Sequence, residues 1–181
     1  TGSHVYSIIQ LTDGSYVLAG EITPTGTGNY DMYVVKLNSS GSILWTRTVA
    51  GTGYDMANSI IQTTDGGFVL GGYTNSYGAG SNDMFIVKLN SSGVLQWSKT
   101  VGGTGDEQTL SLINSADGGF VAAGFTASFG AGGKDMFIVK FDASGNTCGN
   151  TTSPSVPSGT SGTATSPAFT VTIQNPTVTT L

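Results

Sequence analysis

An internal repeat of 52 residues constrains this chain more than any other feature. The motif S-I-I-Q begins at Ser7 and Ser59, and a third version, S-L-I-N, begins at Ser111. A second motif, D-M-(Y/F)-(V/I)-V-K, recurs at the same interval and begins at Asp31, Asp83 and Asp135. A fixed period over three copies indicates a repeat architecture in which each unit covers its neighbour.

Each copy is predicted to form four short β-strands. In the second copy these are 58–63, 68–74, 83–89 and 94–101, separated by turns and loops rich in Gly, Asn, Asp and Ser. Apolar residues occupy both alternating faces, as in a sheet that is covered on both sides. The sequence therefore predicts an all-β fold of three four-stranded antiparallel β-meanders, stacked face to face like the blades of a β-propeller.

The stretch Gly67–Trp97, with its D-G-G-F-V turn and the run D-M-F-I-V-K-L-N-S-S-G-V-L-Q-W, resembles the repeats of secreted bacterial and archaeal β-propellers. It also looks like the four-stranded blades of quinoprotein-type propellers. The resemblance extends from residue 1 to about residue 147. It implies the architecture but no activity, because propellers support unrelated functions, and we carry no quinone cofactor over.

The third repeat departs from the pattern where its fourth strand is due. Trp45 and Trp97 occupy the fourth strands of the first two copies, where an indole could wedge against the next blade, but Gly149 stands at the third position. The predicted domains are an array over 1–147, with repeats 7–58, 59–110 and 111–147, then a flexible linker over 148–167 and a terminal segment over 168–181.

The terminal segment is predicted to contain one amphipathic β-strand. Phe169, Val171 and Ile173 alternate with polar residues and so share one face. One hypothesis is that this strand pairs with a sheet edge, in this chain or in a neighbour, by strand addition. The alternative is that it begins a separate β-sandwich domain.

Three blades are too few to close a ring, since propellers have about 4–8. Open blade faces and strand edges favour association. Three arrangements follow from this: further blades of the same protein, a ring closed by two copies, or a fibre of stacked copies.

The composition bounds the setting and the partners. Only 9% of the residues are charged and the net charge is −5, which predicts binding neither to nucleic acid nor to membrane. The low charge, the repeats and the Ser/Thr-rich tail favour an extracellular or cell-surface location. There the asparagines of three N-x-S/T sequons would be candidate glycosylation sites: Asn38, Asn90 and Asn150.

The chain shows little that points to chemistry, and we predict no enzymatic activity, no cofactor and no metal site. His4 is the one histidine and Cys148 the one cysteine. The recurring Asp31, Asp83 and Asp135 are predicted to be structural, bonding loop amides, with calcium held by a carboxylate and loop carbonyls as the alternative. The recurring lysines at 36, 88 and 140 are predicted to be edge or solvent charges.

Aromatic and amide residues of the loops at one end of the blades are the candidate ligand-binding residues: Tyr30, Tyr54, Tyr77, Asn82 and Phe129. The alternative is that these rings pack the loops down. The sequence thus predicts an extracellular structural or adhesion module that self-assembles into a ring or filament. The other prediction is a glycan- or protein-binding propeller fragment of a larger secreted protein.

Overall fold

Eleven strands form three antiparallel β-meanders in the array, as the repeat predicts. The computed structural model describes residues 2–24, 28–130, 132–147 and 179–180, the last two by their backbone alone. The first blade consists of β1 (Ser3–Gln10), β2 (Tyr16–Ile22), β3 (Asp31–Leu37) and β4 (Ile43–Val49). The middle blade consists of β5 (Asp55–Gln62), β6 (Phe68–Thr74), β7 (Asp83–Leu89) and β8 (Leu95–Val101). The third blade consists of β9 (Glu107–Asn114), β10 (Phe120–Thr126) and β11 (Asp135–Phe141).

Neighbouring strands of each blade follow one another in the sheet, so every connection within a blade is a hairpin. Each first strand starts earlier than predicted, at Asp55 rather than residue 58 in the middle blade. A β-bulge between Ala57 and Ser59 lets β5 continue to Asp55, which pairs with Thr74. Among the described residues no helix is long and apolar enough to cross a membrane.

The third blade keeps the first residue of a fourth strand within the described part of the chain. Thr147 forms a bridge with Phe141, in the position where Leu95 pairs with Leu89 in the middle blade. A short strand, β12 (Thr179–Thr180), pairs antiparallel with Thr100 and Lys99 on the outer edge of the middle blade. The residues predicted to form the amphipathic tail strand, Phe169, Val171 and Ile173, lie outside the described residues.

Two apolar clusters hold the blades together. The first contains Val17, Met32 and Val34 of the first blade with Phe68, Leu70, Phe85 and Val87 of the middle blade. The second contains Val69, Met84 and Ile86 of the middle blade with Phe120, Phe137, Val139 and Phe141 of the third blade. The middle blade is therefore buried on both faces.

The two tryptophans pack across these junctions. The Trp45 ring centroid lies 6.1 Å from that of Phe68 in the middle blade, and Trp97 lies 6.3 Å from Phe120 in the third blade. Arg47 reinforces the first junction, since its guanidinium donates to the carbonyls of Gly93 (2.8 Å) and Ser92 (3.1 Å). The fourth strands β4 and β8 thus pack against the blade that follows each of them.

Candidate functional site

The three repeats differ most at one end of the blades, although their cores are nearly identical. The differing residues face each other as cross-strand partners: His4 pairs with Glu21, Met56 with Tyr73 and Gln108 with Phe125. A further differing position, immediately before each third strand, is occupied by Tyr30, Asn82 and Lys134. Core positions are shared because they meet the same packing demands, so this end of the array is where the chain varies its surface chemistry.

A glutamate and a histidine form the first part of this surface. Glu21 is buried, and its carboxylate lies 2.9 Å from Nδ1 of His4, whose side chain is mostly exposed. Since a carboxylate accepts, Nδ1 carries the donated proton. Tyr6 lies beside the pair, with its ring centroid 6.4 Å from that of His4. Burial and the neighbouring Glu21 carboxylate raise the pKa of Tyr6.

Three tyrosines continue the surface across the first junction. Tyr30, from the loop before β3, lies with its ring centroid 4.6 Å from that of Tyr54, from the link before β5. Tyr73 lies at the end of β6 and, like the other two, is partly buried. Burial raises the pKa of Tyr73 to about 12, and the nearby Tyr30 phenol and Glu21 carboxylate add to the effect. The aromatic rings and the carboxylate thus share one neighbourhood.

The second junction carries charged and amide groups at the equivalent positions. Asp106 accepts from Nδ2 of Asn82 at 2.8 Å and lies 2.8 Å from the ammonium of Lys134. That ammonium lies 3.9 Å from the centroid of the Phe125 ring, within the range of a cation–π contact. Burial alone would raise the pKa of Asp106, but Lys134 and Asn82 outweigh it and lower the pKa.

The five predicted ligand-binding residues divide into two groups. Tyr30 and Tyr54 lie together and Asn82 binds Asp106, all at the varied end of the blades. Tyr77 instead packs against Phe85 at 6.0 Å and donates to the Ala50 carbonyl at 3.0 Å. Phe129 packs against Phe137 at 5.7 Å, so these two rings cover the core beneath their loops.

Several residues of this surface were not predicted from the sequence: Tyr6, Glu21, Tyr73, Asp106 and Phe125. Three of them, Glu21, Tyr73 and Phe125, occupy one repeat position with three different chemistries. Divergence at this position among otherwise matching repeats was the signal that could have identified these three residues.

The recurring aspartates are the first residues of the third strands, and Asp31 and Asp83 lie near an acidic residue of the following blade. Asp83 is buried, and its carboxylate accepts from the Gly80 amide at 3.2 Å. Burial and the Glu107 carboxylate raise the pKa of Asp83, and burial and Asp55 raise that of Asp31. Asp135 Oδ2 is buried without a hydrogen-bond partner among the described residues.

The aspartate carboxylates belong to no larger cluster of metal-ligating side chains in the described part of the chain. No three His, Cys, Asp or Glu side chains converge there. The Asp83 carboxylate lines a cavity of about 230 Å³ together with the loops at Gly78–Ala79 and Gly102–Thr104. Calcium stays the alternative to the predicted structural role of these aspartates.

Two of the sequon asparagines organise turns. The Asn38 side-chain oxygen accepts from the amides of Ser40 (3.0 Å) and Ser42 (2.9 Å). Asn90 accepts in the same way from Ser92 (3.0 Å) and Val94 (2.9 Å). Asn150 lies outside the described residues, and glycosylation stays a prediction at all three positions.

Comparison with known proteins agrees with the stacked meanders. Residues 11–43 and 63–95 match the family model described as "Domain of unknown function (DUF5122) beta-propeller". The matched residues are therefore similar to β-propeller repeats. The two matched segments begin near the first turn of a blade and end at the start of its fourth strand.

A curated relative and a solved structure extend the comparison. The chain is 24% identical over 164 residues to the regulatory protein FlaEY of Caulobacter vibrioides. This alignment covers 77% of this chain and 17% of that protein. It is similar to the crystal structure of a protein of unknown function from Bacteroides caccae, with a TM-score of 0.52 and 14% identity. This second match covers 82% of the chain and 46% of the solved chain, and it shows the fold alone. The chain thus spans under a fifth of the relative and about half of the solved structure.

Proposed function

We propose that this β-propeller array is an extracellular structural module that associates head to tail through the free faces of its first and third blades. One observation supports this most directly. Among the described residues nothing covers the outer faces of the first and third blades, and these two free faces are, position for position, the faces that the chain already buries at its internal junctions. A second copy would supply the missing neighbour at each end.

The free face of the first blade exposes apolar side chains that are buried in the other blades. Val5 and Ile8 are 56% and 59% exposed, whereas the equivalent Ala57 and Ile60 of the middle blade are buried. The face also carries Tyr16 and Tyr33 at positions where the other blades have buried phenylalanine. Tyrosine combines a large apolar ring with a polar tip, which is common at surfaces that alternate between water and a partner.

The free face of the third blade is the complement of the first. Ile113 and Met136 are 61% and 48% exposed, whereas Met84, equivalent to Met136, is buried against the third blade. A patch of this kind on a soluble domain typically marks an interaction site. Bringing Met136 of one copy against the Tyr16–Tyr33 face of another would repeat the contact between the middle and third blades.

Such an interface joins two different surfaces, so it produces a closed ring if the rotation closes and a filament if it does not. The solved structure to which the array is similar is about twice as long as the matched stretch. Two copies of the array would provide a similar length of folded chain. Only 9% of the residues are charged, so Ser, Thr and Asn provide most of the polar surface, and this supports an extracellular setting.

Two variants with one blocked face each test the head-to-tail contact. Ile8→Glu blocks the first blade, and Met136→Glu blocks the third. We expect wild type to assemble in light-scattering measurements, each variant alone to be monomeric, and an equimolar mixture to form a dimer with one intact junction. Electron microscopy of wild type then distinguishes rings from filaments.

Leu95→Glu is the matched control, because Leu95 is 50% exposed even though its blade is covered on both faces. It should assemble like wild type. A wild-type chain that stays monomeric at high concentration contradicts the proposal, and a mixture that stays monomeric contradicts the head-to-tail geometry.

A further inference from the structure

We propose that the surface across the first junction, formed by Tyr6, Glu21, Tyr30, Tyr54 and Tyr73, binds a neutral carbohydrate. We call these five residues the tyrosine surface. This inference is independent of the assembly proposed above, because the tyrosine surface lies at one end of the blades and not on their free faces.

The aromatic rings suit a sugar. The face of a pyranose ring that carries its axial C–H groups is apolar and packs on phenol rings, while the hydroxyl edge needs polar partners. Tyr30 and Tyr54 present two partly exposed rings 4.6 Å apart at a tilt of 46°. Tyr6 is about half exposed and lies beside His4. Each phenol combines an apolar face with a hydroxyl that can donate and accept.

Glu21 organises the polar side of the same surface. Nδ1 of His4 donates to the buried Glu21 carboxylate over 2.9 Å. Nε2, on the other side of the exposed imidazole, takes no part in this bond. Glu21 is therefore a positioning residue for His4. Its negative charge also disfavours anionic ligands, since a second carboxylate or a sulfate nearby would be repelled. A neutral polyol meets no such repulsion.

The second junction shows why the site is restricted to the first. There Asn82, Asp106 and Phe125 stand where the first junction has Tyr30, Tyr54 and Tyr73, and Lys134 of the third blade lies against them. The Lys134 ammonium already covers the Phe125 ring at 3.9 Å and binds Asp106 at 2.8 Å. These groups are occupied by one another, whereas the rings of the tyrosine surface face outward in part.

A glycan array that displays neutral and acidic oligosaccharides identifies the ligand, and calorimetry with the strongest binder measures affinity. The Met136→Glu variant is the background protein, so that assembly does not affect the result. We expect neutral glycans to bind and sulfated or sialylated ones to bind at least tenfold more weakly. Binding to no glycan, or equal binding of acidic ones, overturns the proposal.

Two substitutions locate the site. Tyr54→Ala removes a stacking ring and should lower affinity about tenfold. Tyr73→Phe removes one hydroxyl, and phenylalanine fits because Phe125 occupies the equivalent position; this change should lower affinity severalfold without changing the melting temperature. Tyr16→Phe is the control, since it removes a phenol hydroxyl on the free face, where the middle blade has Phe68. Affinities of Tyr54→Ala and Tyr73→Phe that match this control would refute the assignment.

Discussion

Lys88 and Asp65 form an ion pair of 2.9 Å that ties the third strand of the middle blade to its first hairpin turn. The lysine side chain is only 4% exposed, and its ammonium also donates to Thr63 Oγ1 at 2.9 Å. Asp65 in turn accepts from the Gly67 amide at 3.0 Å, which shapes the turn. The pair recurs as Lys140 and Asp117, also at 2.9 Å, so it belongs to the repeat.

Replacing Lys88 with methionine should destabilise the protein. The change keeps the length of the side chain but leaves Thr63 and Asp65 without their charged donor, and the expected loss is about 1–3 kcal/mol of unfolding free energy. Urea unfolding measures it. Lys140→Met is the comparison, because that lysine is 27% exposed and water can replace its bonds. An equal loss at the two sites would contradict the importance of burial.

The Asp65 carboxylate makes stability depend on acidic pH. Burial alone would raise its pKa, but hydrogen bonds from Thr63 and Lys88 outweigh that effect and hold the pKa at about 2, below the ordinary 3.8. The folded state therefore favours the ionised form, and this contribution is present above pH 3.8 and disappears as the pH falls towards 2. Melting temperatures from pH 2 to 5 should fall less steeply for Asp65→Asn than for wild type. If the melting temperatures of wild type and Asp65→Asn fall equally between pH 5 and pH 2, the Asp65 carboxylate does not contribute to the pH dependence of stability.

Asp83 should behave in the opposite way. Burial and the Glu107 carboxylate raise its pKa, so the folded state favours the protonated form, and its stabilising effect is lost as the pH rises through the folded pKa. Asp83→Asn keeps an oxygen for the Gly80 amide and removes the like-charge repulsion. We expect it to raise the melting temperature at pH 7 by roughly 2–4 °C per kcal/mol gained, with little change at pH 3. A lower melting temperature at pH 7 would contradict this account.

Gly72 permits the close approach of β6 to the bulged strand β5. A Cβ at this position would collide with the Met56 carbonyl, which belongs to backbone and cannot move aside. Gly72→Ala should therefore cost about 3 kcal/mol or more. Gly66→Ala is the control: Gly66 has φ of +78° but open space around it, so alanine should cost only about 1 kcal/mol. Chemical denaturation compares the two, and similar losses would contradict the steric argument.

The strand pattern was predictable because each blade repeats the same alternation and the same turns. β6 and β7 begin and end at the predicted residues, since Phe68 and Asp83 directly follow a glycine-rich turn or loop. The start of β5 was not predictable in the same way. A β-bulge between Ala57 and Ser59 lets the strand extend towards the N-terminus beyond Asn58. No local preference in the sequence indicates this bulge.

The prediction for the recurring lysines was wrong for Lys88, which is buried rather than at an edge or in solvent. A lysine in a strand normally extends its charge into water. Here the carboxylate that pairs with it lies 23 residues earlier, in the first turn, and only the meander brings the two together. The tyrosine surface was predicted only in part. Tyr30 and Tyr54 were candidates because they lie in loops, whereas Tyr6, Glu21 and Tyr73 were missed because they lie within strands.

The equivalence of the two blade junctions has a genetic consequence. Phe68 and Phe120 contact the preceding blade in the same way, and Met32 and Met84 contact the following blade in the same way. Removal or duplication of 52 residues would therefore join two blade faces that already fit each other. Recombination between the coding regions of two repeats would therefore change the length of such an array in whole blades while preserving the contacts between blades. Blade number can then evolve separately from the surface chemistry that each blade carries.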